Sequence, residues 1–329
     1  FSGIRPSGKL HLGNYLGAIK NWVELQNTAE QAIYAVVDYH GITTPFDPKT
    51  YQRQIMDAVL DFLAAGINPE KSLLIRQSKI PEHTELAWIF NTITPVSWLD
   101  RLPTYKEQLE KNPKYNHMGL LDYPVLMAAD ILIYKSNLVP VGEDQLPHLD
   151  LTNEILKKFN HMFGLPGQGD TFEPVKAHIT EGARIMSLQD PKKKMSKSGD
   201  DGIGLTDSPD EISEKIKKAV TDSNAIIKHD PTGTKERAGI SNLMNIYHLL
   251  SDKSIDEIET DYHGKNYADF KKDLAEIVIE FLKPIQVKHK EFSQNIDEVE
   301  KILTNSEENA RIIAEKTLSE VKQKTGLLP

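Results

Sequence analysis

A short run of small and polar residues near the start of the chain could bind phosphate. Residues 6–14 read Pro-Ser-Gly-Lys-Leu-His-Leu-Gly-Asn and lie between an apolar segment and an amphipathic one. Small residues let the backbone approach a ligand closely, and the first turn of a helix presents unpaired N–H groups to an anion. His11 and Asn14 add donors on the same turn. Because similar turns recur in α/β proteins, this run alone fits an ordinary capped helix equally well.

A second cluster, far along the chain, is cationic. Residues 192–200 read Lys-Lys-Lys-Met-Ser-Lys-Ser-Gly-Asp and follow Pro191. A mobile basic loop of this kind could close over a polyphosphate and stabilise the charge that develops on a leaving pyrophosphate. A solvated lysine patch explains the same composition. Composition does not decide between these interpretations.

Asp130 is an acid inside an otherwise apolar stretch, residues 127–133. A buried carboxylate without a partner costs several kcal/mol, so a buried Asp130 should have one. An indole N–H is a donor from which such a carboxylate could accept. On the residues alone, a helix acid that points to solvent or bonds a neighbouring turn is the stronger interpretation.

Length and composition describe a globular chain without cysteine chemistry. The 329 residues suit one large or two modest domains, and the absence of cysteine excludes disulfides, thiolate nucleophiles and zinc ribbons. The formal net charge of −9 argues against broad attraction to phosphate backbones, although a local basic site remains possible.

No segment predicts a membrane span or a secretory signal. The most apolar stretch, residues 125–134, is interrupted by Asp130 and is shorter than the ~18 apolar residues of a spanning helix. The sequence starts on a strand-like segment, without a basic region followed by an apolar one. We therefore expect a cytoplasmic protein.

The first two thirds of the chain alternate short apolar runs with amphipathic stretches, which predicts a parallel sheet of α/β type. A helix is expected from about Gly13, another over residues 51–63 that closes at Gly66, and a third with Pro147 in its first turn. Pro140 indicates a strand edge, a bulge or a strand end. The predicted strands are residues 1–5, 32–37, 72–76 and 138–141.

The pattern changes after Gly199. Ser208-Pro209-Asp210-Glu211 is typical of a capping box with proline at the first helical position. Residues 274–282 predict a further helical face, which we expect to stop at Pro284. These features predict an all-helical domain from about residue 205. Between the sheet elements, residues 95–117 are polar and interrupted by prolines, which indicates a helical, mobile insertion.

At two of these places the sequence resembles class I aminoacyl-tRNA synthetases. His11-Leu12-Gly13-Asn14 is similar to their H-x-G-H signature with Asn in the last place, and residues 194–198 read as their K-M-S-K-S loop. Two motifs in the right order are far more specific than either alone. Within the class, bacterial tryptophanyl enzymes are similar from end to end, at residues 1–8, 127–132, 139–145, 182–188, 220–223 and 239–243. Asn14 is the usual tryptophanyl form of the motif.

The resemblance implies an α/β fold with a Rossmann-type catalytic domain over residues 1–204, including a helical insertion near 95–120. Residues 205–329 would form a helical domain that binds the tRNA anticodon. The implied activity is that of a tryptophan–tRNA ligase, which converts L-tryptophan and ATP to tryptophanyl-adenylate and pyrophosphate and then charges tRNA(Trp). The resemblance also implies a homodimer. Mg²⁺ should arrive with ATP, held by phosphate and water, and no protein metal site is expected.

The resemblance also implies residue roles. Lys194, Lys197 and Asn14 would be catalytic. The residues expected at ATP are Arg5, Ser7, His11, Gly13, Asn14, Gly142, Asp144, Ile185, Lys194, Ser196, Lys197 and Ser198.

For tryptophan, Asp130 would accept from the indole N–H. His40 follows a strand at the edge where open α/β sheets bind ligands, although it could be structural. Tyr123 and Gln145 best match groups near the substrate's ammonium and carboxylate. The residues expected as neighbours and walls of the ring, some of which could merely be core, are Phe1, Gly3, Met127, Val139 and Val141.

Three alternatives remain at this point. A tyrosyl-tRNA synthetase has a similar scaffold, and amino-acid-dependent pyrophosphate exchange would separate it. Nucleotidyltransferases share H-x-G-H but seldom need a long helical domain. An RNA-binding protein derived from a synthetase should have lost the lysine loop, whereas Lys194 and Lys197 are both present.

Overall fold

Three parallel strands form the first sheet of the protein. The computed structural model describes residues 1–111, 113–164, 167, 169–179, 185–195, 202–224, 226–230 and 237–328. Strands β1 (Ser2–Ile4), β2 (Ala32–Val36) and β3 (Ser72–Arg76) lie side by side in that order. Every residue of β2 is buried, as expected for a strand covered on both faces.

A second parallel pair adjoins this sheet. It consists of β4 (Leu138–Val141) and β5 (Lys176–Ile179). The Phe1 nitrogen donates to Leu138 O at 3.2 Å and Ser2 Oγ donates to Pro140 O at 3.2 Å, so β4 lies next to β1. In a strand, the N–H and the C=O of one residue point to the same side. Because the C=O of Pro140 faces Ser2 of β1, the N–H that proline lacks would have faced β1 as well. Pro140 therefore marks the edge of the β4–β5 ladder, as predicted.

Helices surround both sheets. A π-helical turn, Tyr15–Ile19, joins the first two helices, and 3₁₀ turns lie at Gln77–Lys79, Pro113–Tyr115 and Glu143–Gln145. The helices up to the second sheet are α1 (Leu12–Asn14), α2 (Lys20–Leu25), α3 (Asp38–Gly41), α4 (Pro48–Ala64), α5 (Glu82–Asn91), α6 (Val96–Asp100), α7 (Pro103–Lys111), α8 (Met118–Leu132) and α9 (Leu146–Phe163). Those that follow are α10 (Pro209–Lys218), α11 (Ala238–Leu250), α12 (Ile255–Asp261), α13 (Tyr267–Gln294) and α14 (Ile296–Lys324).

Several local predictions are confirmed. Gly66 has φ of +111° just after α4, a backbone conformation that favours glycine at a helix end. Ser208 and Glu211 form the predicted capping box at the start of α10, with Pro209 in the first turn. The predicted insertion is helical, since α6 and α7 lie within it.

The prediction that a helix stops at Pro284 is wrong. Helix α13 continues through Pro284 to Gln294. Proline removes one backbone donor from a helix interior. Here the neighbouring Leu282 and Ile285 are both buried in the same apolar cluster. Packing of this face outweighs the local preference of proline, as tertiary contacts often do in long helices.

Within the described part of the chain, two hydrophobic clusters fill the interior. One contains Leu10 and Leu12 from the opening turn together with Leu205, Met244 and Leu282 from the later helices. Packing is therefore continuous across residue 204, and the domain boundary stays a prediction. The other cluster lies on the opposite side of the first sheet and includes Ala310 and Ala314 of α14.

An ion pair also attaches α14 to the first sheet. Arg76, the last residue of β3, makes a two-pronged contact with Glu307, with Nε to Oε1 at 2.7 Å and Nη2 to Oε2 at 3.0 Å. Both side chains are largely buried, and bidentate contacts of this kind fix geometry well. The C-terminal helix is thus held against the strand that leads into the site.

Candidate active site

The opening turn is fixed by two mutual hydrogen bonds. The His11 backbone N–H donates to Asn14 Oδ1 at 3.2 Å, and the Asn14 backbone N–H donates to His11 Nδ1 at 3.2 Å. His11 is therefore an acceptor at Nδ1, whereas the sequence suggested only a donor role. A Cβ added at Gly13 would lie 3.0 Å from His11 Nδ1 and 3.4 Å from Met195 Cβ. Glycine permits this close approach.

The opening turn and the lysine-bearing segment meet in space. Leu12 N donates to Ile203 O at 2.8 Å, and Leu205 N donates to Leu10 O at 2.9 Å. Within the lysine-bearing segment, Met195 N donates to Ile185 O at 3.0 Å. The first two bonds hold Ile203 and Leu205 against the opening turn, and Met195 lies beside Gly13 of the same turn. Two stretches nearly two hundred residues apart thus form one surface.

Lys194 reaches across to the turn that follows β4. Its Nζ lies 3.1 Å from Asp144 Oδ1, and both side chains are more than half exposed, at 57% and 56%. Gln145 Nε2 donates to the other oxygen of Asp144 at 2.7 Å. Burial alone would raise the pKa of Asp144, but the hydrogen bonds from Gln145 and Lys194 lower it. The carboxylate therefore stays ionised beside the lysine.

Several expected residues lie around this contact. Ile185 is buried, and its carbonyl holds Met195, so its contribution is through the backbone. A Cβ at Gly142 would lie 2.9 Å from Asp144 Oδ1 and would displace that side chain. Arg5 and Ser7 are exposed just after β1. Ser196, Lys197 and Ser198 lie outside the described residues, as do residues 182–184 of the resemblance.

Asp130 lies at the centre of a buried polar network. Only 1% of the residue is exposed, which excludes the interpretation of a solvent-facing helix acid. Of the predicted site residues, His40 contacts this carboxylate, with its Nε2 2.7 Å from Asp130 Oδ2. Burial by itself would raise the pKa of Asp130, but hydrogen bonds from His40 and His83 outweigh it and lower the pKa. Asp130 is thus a carboxylate held in an apolar interior.

Two members of this network were missed from the sequence. Gln77 Nε2 and His83 Nδ1 each lie 2.7 Å from Asp130 Oδ1. Gln77 follows β3 directly, at the same sheet edge that had singled out His40, so its position was available as a signal. His83 gave no such signal, because its spacing from Asp130 depends on how α5 packs against α8.

Tyr123 belongs to a second polar cluster beside the first. Its hydroxyl lies 2.8 Å from Thr104 Oγ1 and 2.8 Å from His148 Nε2, and its ring packs edge-on against His40. Burial lowers the pKa of His148 to about 4, so the imidazole is neutral at physiological pH. Thr104 and His148 were not predicted. Burial raises the pKa of Tyr123, and the charge of Arg5 opposes this effect.

The expected wall residues differ in how far they are buried. Val139 is fully buried, whereas Phe1, Met127 and Val141 are half-buried and pack against the same cluster. A Cβ at Gly3 would lie 2.6 Å from Val37 Cγ1, so glycine is needed there for strand packing. The half-buried residues keep surface that a ligand could contact.

Among the described residues, no group of three or more His, Asp or Glu side chains is arranged to hold a metal ion. The same residues contain no helix long and apolar enough to cross a membrane.

The comparisons with known proteins agree with this geometry. Residues 1–283 match the family model described as tRNA synthetases class I (W and Y). The chain belongs to this family, and its predicted Rossmann-type α/β fold class is confirmed.

Three relatives extend the comparison over the whole chain. The tryptophan–tRNA ligase of Helicobacter pylori (strain ATCC 700392 / 26695) is 48% identical over 335 residues, covering 100% of this chain and 98% of that protein. The corresponding ligase of Wolinella succinogenes is 43% identical over 332 residues, with the same coverage of 100% and 98%. The crystal structure of Campylobacter jejuni tryptophanyl-tRNA synthetase complexed with ADP and tryptophan has a TM-score of 0.85 at 32% identity, covering 99% of this chain and 98% of that one.

Proposed function

We propose that this protein is a tryptophan–tRNA ligase. It activates L-tryptophan with ATP to tryptophanyl-adenylate and pyrophosphate, and then transfers the tryptophanyl group to the terminal ribose of tRNA(Trp). The names of the full-length relatives support this activity. The observation that carries it in this chain is the meeting of two segments, Leu10–Leu12 and Ile203–Leu205, joined by backbone hydrogen bonds beside Gly13 and Met195.

In the first step the tryptophan carboxylate attacks the α-phosphorus of ATP in line, the new P–O bond forms, and the bond to pyrophosphate breaks. No covalent enzyme intermediate is needed, so the protein contributes alignment and charge stabilisation. Lys194 and Lys197 neutralise the charge on the leaving pyrophosphate, with Ser196 and Ser198 as donors. Asn14 and Gly13, with His11 nearby, hold ATP at the opening turn. The charged guanidinium of Arg5 favours binding of the triphosphate.

Tryptophan is selected at the buried end of the site. Asp130 accepts a hydrogen bond from the indole N–H, and His40 lies beside the same carboxylate. Tyr123 and Gln145 contact the ammonium and carboxylate of the amino acid. A site that hydrogen-bonds a substrate donor rejects analogues without it by ~10⁴, whereas apolar shape alone gives only ~10 to 200. Asp130 is therefore the main determinant of specificity.

The remaining parts of the proposal concern partners. Mg²⁺ enters with ATP and is held mainly by phosphate and water, because the carboxylate nearest Lys194, that of Asp144, is already paired with Lys194 and Gln145. The helical region from residue 205 binds the anticodon of tRNA(Trp), and two copies of the chain form a homodimer. The protein acts in the cytoplasm.

Two measurements on the wild-type protein test the proposal. In ATP–pyrophosphate exchange, kcat/KM for tryptophan should exceed kcat/KM for tyrosine by a factor of about 10³ or more. The protein should also charge tRNA(Trp) with tryptophan. Exchange with tyrosine would indicate a tyrosyl enzyme, and charging of tRNA(Trp) would exclude a nucleotidyltransferase.

A further inference from the structure

The carboxylate of Asp130 has little hydrogen-bonding capacity left. From the described part of the chain, Oδ1 accepts from Gln77 Nε2 and His83 Nδ1, and Oδ2 accepts from His40 Nε2, each at 2.7 Å. An ionised carboxylate offers about four lone-pair sites. Because Oδ1 is already used twice, the position left for a ligand donor is on Oδ2.

The orientation of Gln77 follows from its second contact. Its Oε1 accepts from the Tyr39 backbone N–H at 3.1 Å, so its Nε2 must be the group that faces Asp130. Gln77 follows β3 and Asp130 lies on α8. This bond therefore ties the carboxylate to the end of the sheet.

His83 is held at both ring nitrogens. Nδ1 faces Asp130, and Nε2 lies 2.7 Å from the Tyr134 hydroxyl. A carboxylate can only accept, so Nδ1 carries the proton, and the Tyr134 O–H can donate to Nε2. Burial raises the pKa of Tyr134, which keeps that hydroxyl protonated. A neutral imidazole then satisfies both contacts of a side chain that is 0% exposed.

The same chain of contacts reaches one wall of the site. The Tyr134 ring stacks on Phe1, with centroids 5.6 Å apart and planes inclined by 21°. Tyr134 lies two residues beyond α8, the helix that carries Asp130. Contacts from Phe1 through Tyr134 and His83 therefore connect a wall of the site to the carboxylate.

We propose that His83, held by Tyr134, is a positioning residue that fixes the Asp130 carboxylate so that only Oδ2 faces the indole N–H. This rests on the proposed role of Asp130. The terminal torsion of an aspartate is broad and roughly two-fold, so the carboxylate rotates easily unless donors fix it. His83 and Gln77 together fill Oδ1 and prevent that rotation. His83 therefore acts on the choice of substrate without touching it.

A tryptophan analogue with sulfur in place of the indole N–H, 3-benzothienylalanine, measures this effect. The readout is the ratio of kcat/KM for tryptophan to kcat/KM for the analogue, in ATP–pyrophosphate exchange. In His83→Asn the amide nitrogen can take the place of Nδ1 and keep the donor to Asp130. In His83→Gln the amide takes the place of Nε2 and that donor is lost. A general weakening of the fold would lower both kcat/KM values and leave their ratio unchanged.

We expect His83→Gln to reduce the ratio by about tenfold to a hundredfold, the range of a hydrogen bond to a charged group. His83→Asn should stay within about threefold of the wild type. Equal ratios in the two variants would overturn the proposal. The exposed His161→Gln serves as the matched surface control and should leave the ratio unchanged.

Two further variants separate the possible failures. If Asp130→Ala keeps the wild-type ratio, the proposed role of Asp130 fails. If Asp130→Ala reduces the ratio of the two kcat/KM values and His83→Gln leaves it at the wild-type value, only the role of His83 fails. Tyr134→Phe keeps the ring stack on Phe1 and removes the donor to His83, so it should reduce the ratio by about threefold. Should His83→Gln not fold by circular dichroism, an unchanged ratio in Tyr134→Phe overturns the proposal.

Discussion

The two ends of the proposed site are built in opposite ways. Asp130 is buried, and its side chain is held by donors from three separate elements of the fold. Lys194 and Asp144 at the other end are more than half exposed and form a single ion pair. An exposed pair contributes only about 0 to 1 kcal/mol, so Lys194 can exchange Asp144 for a phosphate at little cost. The proposed selection of the amino acid thus relies on a buried carboxylate fixed by three donors, whereas the proposed charge stabilisation relies on an exposed lysine.

The largest effect should come from the buried end. Asp130→Ala should lower kcat/KM for tryptophan in ATP–pyrophosphate exchange by about 10³-fold or more, because the acceptor for the indole N–H is removed. The KM for ATP should change little, since Lys194 and the opening turn are untouched. Circular dichroism checks the fold. A loss of less than tenfold in the folded variant would show that Asp130 does not choose the substrate.

At the exposed end, Lys194→Ala should lower kcat for exchange by about 10²- to 10³-fold, as removal of a transition-state donor typically does. Because the side chain is exposed, thermal stability and the KM for tryptophan should stay near the wild-type values. Lys192→Ala is the matched control, since Lys192 is also exposed and lies two residues earlier. It should remain within about twofold of the wild type. Equal losses in the two variants would mean that the segment acts only through its overall charge.

The free energy of unfolding should also change with pH because of one residue at the buried end of the site, His148. Burial lowers the pKa of His148 from 6.5 to about 4 in the folded state. Between these values the unfolded chain binds a proton that the folded chain does not, so stability falls as pH falls from 6.5 towards 4. This group should contribute about 3 kcal/mol to the decline, at 1.36 kcal/mol per pKa unit.

Urea unfolding at pH 7 and pH 4.5 measures this contribution. His148→Gln keeps a polar group near the Nε2 position and cannot titrate in this range, so its stability should fall less with pH than that of the wild type. His161→Gln, on the exposed side of α9, should show the wild-type decline. A decline of the same size in His148→Gln would show that His148 is not the group responsible.

Predictions from sequence succeeded where the signal is local. Gly66 and the Ser208 capping box depend on a few neighbouring residues, and both are found in the structure. The lysine-bearing segment and the opening turn could be paired only because two motifs resembled one family. The prediction at Pro284 used only the tendency of proline to end a helix. The buried side chains on either side of Pro284 instead determine that helix α13 continues. Local rules therefore predicted the helix ends that a cap or a glycine marks, and failed at Pro284, where packing decides.

The buried end of the site was only half predictable. Asp130 and His40 stand out because one is an acid in an apolar run and the other follows a strand. His83 and Thr104 carry no such mark, and their contacts with Asp130 and Tyr123 cross 47 and 19 residues of sequence. Such contacts depend on how helices pack, which the sequence of one chain does not reveal. The structure therefore adds most among the residues that contact the predicted site residues, such as His83 and Thr104.

Thr104→Val tests one of these residues with a small change. Valine has nearly the same shape as threonine but no hydroxyl, so it removes the contacts with Tyr123 and His148 and leaves the packing of α7 intact. One neutral hydrogen bond contributes about 1 kcal/mol, and the KM for tryptophan should rise by about fivefold in ATP–pyrophosphate exchange. Thr92→Val is the matched control, since Thr92 lies at the end of α5 and its hydroxyl donates to Ile89 O. If both variants keep the wild-type KM, the insertion does not help to position Tyr123, and the buried network ends at His148.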